Sequence, residues 1–191
     1  MRIITGKARG IRLETLEGLN TRPTAERAKE AVFSMLAFDI EGRRVLDLFA
    51  GSGQMGLEAL SRGAVSAVMV DCARAAVEII KKNTAKTRLE GAEIVCADSM
   101  NWLEGAAKKG LSFDIVFMDP PYAEKLLPRC LEKLLRGNLL KSTSLIVCES
   151  GAQEDLFCGD EALADRFDVI KSTRYGVAYV NILKVKSRNE E

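Results

Sequence analysis

Residues 44–56 of the chain are Arg44-Val45-Leu46-Asp47-Leu48-Phe49-Ala50-Gly51-Ser52-Gly53-Gln54-Met55-Gly56. The apolar part of this stretch predicts a buried strand, and the apolar positions Leu57, Leu60 and Ala64 beyond it predict a helix. A strand, a glycine-rich turn and a helix N-terminus in this order are typical of a nucleotide-binding βα unit.

The glycine pattern by itself does not choose between two cofactors. Gly51, Gly53 and Gly56 match the nicotinamide-dinucleotide fingerprint, and Asp71 follows the next apolar run where a ribose-binding acid is expected. Asp47 favours S-adenosylmethionine, because a carboxylate inside an apolar strand needs a cationic partner and this cofactor carries an ammonium and a sulfonium. The alternative is that Asp47 only caps backbone amides of the turn.

The remaining periodicity predicts alternating strands and helices. Strands are expected at 67–70, 93–97, 113–118 and 144–149, helices at 24–37, 73–87, 99–109 and 126–135, and a final antiparallel hairpin at 167–171 and 177–183. This order predicts a Rossmann-like α/β fold with a mostly parallel sheet and a C-terminal antiparallel hairpin. Asp98, after the third strand and beside Ser99, suits an adenine amino group, or it caps the helix at 99–109.

Asp119-Pro120-Pro121-Tyr122 directly follows the strand predicted at 113–118. The prolines end the strand and stiffen the turn. The motif resembles the signature of methyltransferases that alkylate exocyclic amino nitrogens with S-adenosylmethionine. This resemblance implies that the Asp119 carboxylate and the Pro120 carbonyl accept both protons of a base amino group, and that Tyr122 stacks on the base. The alternative is a strand-ending turn with a half-buried tyrosine.

Both ends of the chain are basic. The first twelve residues hold Arg2, Lys7, Arg9 and Arg12 with no acid, and residues 2–4 and 10–13 are expected to pair as a small hairpin. Such a basic arm either binds along the phosphate backbone of a nucleic acid or is only a solvated chain terminus. The basic residues of 166–188 would extend the same RNA-facing surface. Arg22, Arg27 and Lys29, at the helix predicted for 24–37, are candidates to face substrate or cofactor, or are an ordinary solvated helix face.

Composition limits the class of protein. With 191 residues and 47% hydrophobic content, the chain can build one full core. It has no signal-peptide core and no apolar run long enough for a membrane helix, so a cytoplasmic protein is expected. Five cysteines without a Cys-x-x-Cys pair are expected to be small buried hydrophobes in a reducing compartment. The absence of histidine excludes Ser-His-Asp and Cys-His catalysis, and no metal site is expected.

Several motifs together resemble the RsmD-type family. They are Gly6-Lys7-Ala8-Arg9-Gly10, Thr21-Arg22-Pro23-Thr24, Leu46-Asp47-Leu48-Phe49-Ala50-Gly51-Ser52-Gly53, Glu58-Ala59-Leu60-Ser61-Arg62-Gly63-Ala64 and Asp119-Pro120-Pro121-Tyr122. The resemblance implies methylation of N2 of a guanine in small-subunit ribosomal RNA with S-adenosylmethionine. Three positions depart from the family pattern: Gln54-Met55 replaces smaller or aliphatic residues, and Asp71 is shorter than the usual glutamate.

The resemblance also implies residue roles. The expected cofactor contacts are Asp47, Phe49, Ala50, Gly51, Ser52, Gly53, Asp71, Cys72, Asp98 and Ser99. The expected base contacts are Asp119, Pro120, Pro121 and Tyr122, and the expected RNA contacts are Lys7, Arg9, Arg12, Arg22 and Arg27. An RNA-facing extension at 1–40, a methyltransferase domain at 41–186 and a tail at 187–191 are expected.

The expected partner is ribosomal RNA or a small-subunit assembly particle, bound by a monomer. Three alternatives stay open from the residues: an amino-methyltransferase acting on adenine N6 or another amine, a nicotinamide oxidoreductase, and a cofactor-free RNA-binding module.

Overall fold

The computed structural model of the protein describes residues 1–15, 23–121, 126–151, 156–176 and 178–186. The chain separates into two compact units, Met1–Ser99 and Met100–Glu191. Within the described ranges, no helix has both the length and the apolar character that a membrane crossing requires.

The first unit is built from βα units. Its elements are α1 (Pro23–Met35), β1 (Arg44–Asp47), α2 (Gln54–Ser61), β2 (Ser66–Asp71), α3 (Arg74–Thr87) and β3 (Ala92–Cys96). The strands lie in the order β3-β2-β1. Both pairings are parallel, with Asp47 opposite Met69 and Asp71 opposite Cys96. The carboxyl ends of the three strands therefore lie at one edge, where α/β sheets bind ligands.

Residues 1–15 form an ordered arm on this unit. Arg2 and Arg12 form an antiparallel bridge. Ile3, Ala8 and Leu13 are buried, so this part of the arm is not a solvated terminus. The expected hairpin is confirmed in a minimal form, because a single bridge replaces two full strands.

The second unit combines parallel and antiparallel pairing. It follows the start of α4 (Ser99–Lys108) and contains β4 (Phe113–Met118), α5 (Leu126–Arg136), β5 (Leu140–Gly151), α6 (Glu161–Ala164), β6 (Phe167–Tyr175) and β7 (Ala178–Val185). The strand order is β4-β5-β7-β6. β4 and β5 are parallel, whereas β7 is antiparallel to both β5 and β6. The predicted C-terminal hairpin is therefore confirmed.

Element boundaries differ from the predictions by a few residues at several places. β1 ends at Asp47, before the end of the apolar run that reaches Ala50, and β6 continues to Tyr175, four residues beyond its predicted end. β5 begins at Leu140, four residues before the predicted start. The short helix α6 lies between the strands predicted at 144–149 and 167–171, where no helix was predicted, and the Asp160 carboxylate caps it by accepting from the Leu163 amide at 2.9 Å. All five cysteines are free, but only Cys130 and Cys148 are buried. The expectation that the cysteines act as buried hydrophobes is wrong for the exposed Cys72, Cys96 and Cys158.

Two glycines predict opposite effects of the same substitution. A Cβ at Gly56 in α2 would lie 2.6 Å from Cγ of the buried Met69, whereas a Cβ at Gly105 in α4 would meet nothing within 4 Å. We expect Gly56→Ala to lower the free energy of unfolding by about 1–3 kcal/mol through overpacking. Gly105→Ala is expected to raise it by about 0.5–1 kcal/mol through helix propensity. Urea denaturation of both variants checks this, and a gain in stability for Gly56→Ala would contradict the packing argument.

Candidate active site

The glycine loop, residues 48–53, leads from β1 into α2. The Gly53 amide donates to the Ala50 carbonyl at 2.7 Å and closes the turn. Gly51 and Gly53 have φ values of 55° and 76°, a region that strains other residues. A Cβ at Gly51 would meet no atom of the described residues within 4 Å. A ligand can therefore approach the loop backbone closely at Gly51.

Asp47 is a buried carboxylate at the end of β1, with 4% of its surface exposed. Its Oδ2 accepts from the Gly56 amide in the first turn of α2 at 3.0 Å. Burial raises the pKa of Asp47 to about 7, the Asp71 charge adds to this, and the Gly56 hydrogen bond opposes it. The capping role proposed as the alternative is therefore present. The described residues place no cation against this carboxylate, which leaves its charge uncompensated.

Asp71, at the end of β2, braces the loop. Its Oδ2 accepts from the Gly51 amide at 2.8 Å, and its Oδ1 accepts from the Ala73 amide at 2.8 Å. Each carboxylate oxygen has a second lone pair, so both bonds leave acceptor capacity. Cys72 between them is exposed, and its carbonyl accepts a weak bond from the Cys96 thiol at 3.9 Å.

The end of β3 completes this edge of the first unit. The Ala97 amide donates to the Asp71 carbonyl at 3.1 Å. Asp98 is exposed and Ser99, the first residue of α4, is buried. Asp47 and Asp71 are the last residues of β1 and β2, and Asp98 lies two residues beyond β3. The sequence predicted Asp71 and Asp98 at strand ends, whereas it predicted Asp47 inside a strand that in fact ends there. The assignment of these three acids to particular parts of a cofactor stays a prediction.

The Asp-Pro-Pro motif lies at the end of β4 in the second unit. Every residue of β4 is buried. Asp119 directly follows and is exposed, Pro120 is buried and Pro121 is exposed. Asp119 is thus the first exposed residue after the strand, and the two prolines that follow it stiffen the turn. Tyr122 lies outside the described residues.

The basic residues of the first unit divide into two groups. Lys7, Arg9, Arg12 and Arg27 are exposed, as an RNA-facing role requires. The expectation that Lys29 faces substrate or cofactor is wrong. The Lys29 side chain is buried and its Nζ lies 2.9 Å from Oε2 of Glu58. Arg22 lies outside the described residues.

Two buried polar residues were missed by the sequence analysis. Glu58 in α2 and Asn83 in α3 are both 0% exposed, and both bond to the arm of residues 1–15. A polar residue at a buried helix position was the available signal. The partners of these residues in the arm were not predictable, because they lie more than fifty residues away along the chain.

Comparison with known proteins identifies the family. The profile of the family described as "Conserved hypothetical protein 95" matches residues 1–184. The chain belongs to this family, the RsmD-type methyltransferases. It is 36% identical over 185 residues to the Bacillus subtilis (strain 168) protein named "Putative rRNA methyltransferase YlbH", covering 96% of this chain and 98% of the relative.

Two further relatives support the assignment. The Escherichia coli (strain K12) protein "Ribosomal RNA small subunit methyltransferase D" is 38% identical over 156 residues, which are 82% of this chain and 77% of the relative. The solved structure "Putative methyltransferase yhhF from Escherichia coli" superimposes with a TM-score of 0.83 at 31% identity, covering 98% of this chain and 99% of that one. The predicted Rossmann-like methyltransferase fold is confirmed.

The first unit of this RsmD-type methyltransferase fits S-adenosylmethionine. The uncompensated Asp47 carboxylate suits its ammonium group, and the open space at Gly51 allows close approach to the backbone. A dinucleotide pyrophosphate would instead be repelled by Asp47. No group of three or more His, Cys, Asp or Glu side chains suited to a metal ion occurs in the part of the chain that the structure describes.

The raised pKa of Asp47 predicts opposite pH trends for cofactor affinity and stability. Between the ordinary pKa of 3.8 and about 7, the folded protein holds a proton that the unfolded chain has lost. The stabilisation of the ligand-free protein from this proton is complete below pH 3.8 and is lost as the pH rises through 7. Binding of S-adenosylhomocysteine, which keeps the ammonium group, should tighten about tenfold from pH 5.5 to 7.5 as the carboxylate ionises.

Asp47→Asn separates these two effects. Asparagine keeps an acceptor for the Gly56 amide but carries no charge. We expect the variant to bind S-adenosylhomocysteine more weakly than wild type at pH 7.5, with little pH dependence. It should also be more stable than the wild type without ligand at pH 8, because no buried charge remains. Calorimetry at pH 5.5 and 7.5 and denaturation at pH 8 test this. If the cofactor affinity of the variant kept the wild-type pH dependence, a group other than Asp47 would be the one that titrates.

Proposed function

We propose that this protein transfers a methyl group from S-adenosylmethionine to the exocyclic N2 of a guanine in small-subunit ribosomal RNA, in the bacterial cytoplasm. The observation that carries the proposal is the emergence of an exposed Asp119, followed by Pro120 and Pro121, from the wholly buried strand β4. The relatives named as ribosomal RNA methyltransferases support the RNA substrate.

The chemistry requires two acceptors at the amino group. The lone pair of a guanine amine is delocalised into the ring, which makes the nitrogen a weak nucleophile. In our proposal the Asp119 carboxylate and the Pro120 carbonyl accept its two N–H bonds and localise the lone pair toward the methyl donor. S-adenosylmethionine supplies an activated methyl on a sulfonium with its own leaving group. The nitrogen becomes acidic once alkylated, so Asp119 receives a proton without having to be a strong base.

Positioning does the rest of the work. We propose that the base is turned out of its stack, that Tyr122 stacks on its face, and that the in-line geometry of nitrogen, methyl and sulfur supplies most of the acceleration. In the first unit, Asp47 and the glycine loop hold the methionine end of the cofactor, Asp71 and Cys72 lie at the ribose, and Asp98 and Ser99 at the adenine.

RNA binding is assigned to the amino-terminal residues, with 1–40 as the RNA-facing extension and 41–186 as the methyltransferase domain. Lys7, Arg9 and Arg12 are exposed on a docked arm, and no ion pair with another described residue neutralises them. Exposed, unpaired cations of this kind contact phosphates and release counterions. Arg27 on α1 and Arg22 before it extend the proposed surface.

The test is methylation of small-subunit ribosomal RNA, free and as assembly particles, with labelled S-adenosylmethionine. Mass analysis of the digested nucleosides should find N2-methylguanosine. Finding N6-methyladenosine would select the adenine-directed alternative instead. An absence of transfer to either substrate would overturn the proposal.

A further inference from the structure

Asn83 joins two parts of the first unit that are distant in sequence. It lies in the last turns of α3, wholly buried. Its Oδ1 accepts from the Glu14 amide at 2.8 Å. Its Nδ2 donates to the Glu14 carbonyl at 3.0 Å and to the Ser52 carbonyl at 2.9 Å. One side-chain amide therefore bonds to the arm and to the glycine loop at the same time.

The contact with the arm is bidentate. The Asn83 side chain bonds to both the backbone N–H and the backbone C=O of Glu14, as a neighbouring strand of a sheet would. Glu14 follows Leu13, which is buried and whose amide donates to the Met1 carbonyl at 2.9 Å. A displacement of the arm therefore acts directly on the buried Asn83 amide.

The contact with the loop is one of several hydrogen bonds that set the loop backbone. The Gly51 amide donates to Asp71, the Gly53 amide donates to the Ala50 carbonyl, and the Ser52 carbonyl accepts from Asn83. The first two bonds stay within the strands and the loop. The third bond differs, because its donor, Nδ2 of Asn83, also donates to the Glu14 carbonyl of the arm. The direction of the Ser52 peptide, between two glycines with positive φ, thus depends on where the arm lies.

We propose that Asn83 is a positioning residue that couples RNA binding at the amino-terminal arm to cofactor binding at the glycine loop. RNA phosphates held by Lys7, Arg9 and Arg12 keep the arm seated, the seated arm fixes the Asn83 amide, and the amide holds the loop in its cofactor-binding form. The inference rests on the proposed RNA-binding role of the arm, and it adds an energetic link between the two sites.

Such coupling is reciprocal. If RNA tightens the cofactor, then the cofactor tightens RNA by the same factor. The quantity to measure is the ratio of the dissociation constants of S-adenosylhomocysteine without and with saturating small-subunit ribosomal RNA transcript. We expect a ratio of about 5 or more for the wild type. A ratio of one would overturn the inference.

Three variants test the route. Asn83→Ala removes all three bonds, and we expect the ratio to fall close to one, with weaker cofactor binding even without RNA. Thr84→Ala is the matched control, since among the described residues the Thr84 hydroxyl bonds only to the Ile80 carbonyl of its own helix. It should keep the wild-type ratio. A purely structural Asn83 would lower the melting temperature and leave the ratio unchanged, which would also overturn the inference.

Gly6→Ala disturbs the arm without touching Asn83 or the loop. A Cβ at Gly6, where φ is 86°, would lie 1.8 Å from the Ser61 carbonyl oxygen, so the arm must shift away from α2. We expect the ratio of dissociation constants to fall in Gly6→Ala as well. This test does not depend on whether Asn83→Ala folds. A wild-type ratio in this variant would rule out the arm as the route. If both variants lose the coupling but digests from the wild type contain no N2-methylguanosine, the inference stands and the proposed target is wrong.

Discussion

Asp119→Asn is expected to lower kcat by about 10²–10³, the usual cost of removing one preorganised hydrogen-bonding group from a transition state. Asparagine keeps one oxygen acceptor but presents an NH2 group that competes with the amine of the base. The dissociation constant of S-adenosylhomocysteine should not change, because the cofactor contacts proposed here lie in the first unit. Single-turnover methylation of small-subunit RNA and calorimetry measure the two quantities separately.

Asp168→Asn is the matched control for this prediction. Asp168 is an exposed carboxylate on β6 of the same unit, and its substitution should leave both quantities unchanged. An Asp119→Asn enzyme with a kcat within about threefold of the wild type would contradict the acceptor role, because a contact made in the transition state must lower kcat and a threefold change is only the size of one weak neutral hydrogen bond. An accompanying loss of affinity for S-adenosylhomocysteine would instead show that Asp119 contributes to cofactor binding.

Glu58→Ala is expected to lower the free energy of unfolding by about 3–5 kcal/mol, the range for removing one partner of a buried ion pair. The Glu58 carboxylate, wholly buried in α2, accepts from the Ile4 amide at 2.8 Å and the Thr5 amide at 3.1 Å. It also pairs with Lys29 and Arg62, each at 2.9 Å. Its loss would leave two arm amides and a buried ammonium without this acceptor.

The Lys29 environment explains why the effect is large. Burial lowers the pKa of Lys29 below its ordinary value of 10.5, and the neighbouring Glu58 opposes that shift. Without Glu58, the cost of burial and the repulsion by Arg62 are opposed only by Glu26 and by a hydrogen bond to the Arg2 carbonyl at 3.1 Å among the described residues. Arm docking should therefore fail together with stability, so that the arm of Glu58→Ala becomes sensitive to limited proteolysis.

Glu78→Ala provides the comparison for Glu58. Glu78 also forms a 2.8 Å ion pair, with Lys81, but both side chains are more than half exposed. An exposed pair is screened by solvent and contributes little, so this variant should unfold close to the wild-type urea midpoint. Equal midpoints for the two variants would show that the Glu58 network does not stabilise the fold.

Much of the fold was predictable because its signals are local. The strand β4 was predicted with the observed bounds, since an uninterrupted apolar run that ends in two prolines has few other structures available. The positive φ at Gly51 and Gly53 likewise follows from glycine in a tight turn. These features also placed Asp71 and Asp98 at strand ends, because parallel strands bring their carboxyl ends to one edge.

The roles of individual polar residues were less predictable. Lys29 lies among exposed-looking charges on an amphipathic helix, and nothing within α1 shows that Glu58 of another helix receives it. Asn83 likewise sits between lysines on α3, although it is buried and bonds to Glu14 and Ser52. Local periodicity gives the face of a helix on which a residue lies, but not the partner that covers this face.

Local chemistry was therefore sufficient for the α/β architecture, the glycine turn, the exit of the chain at Asp119 and the family resemblance. Proline, glycine and hydrophobic periodicity act over a few residues, so the order of residues along the chain is enough to detect them. The seating of the arm on Glu58, the double attachment of Asn83 and the uncompensated burial of Asp47 depended on packing between distant segments. Burial changes the energy of a charged or polar group, and only folding establishes which groups are buried together.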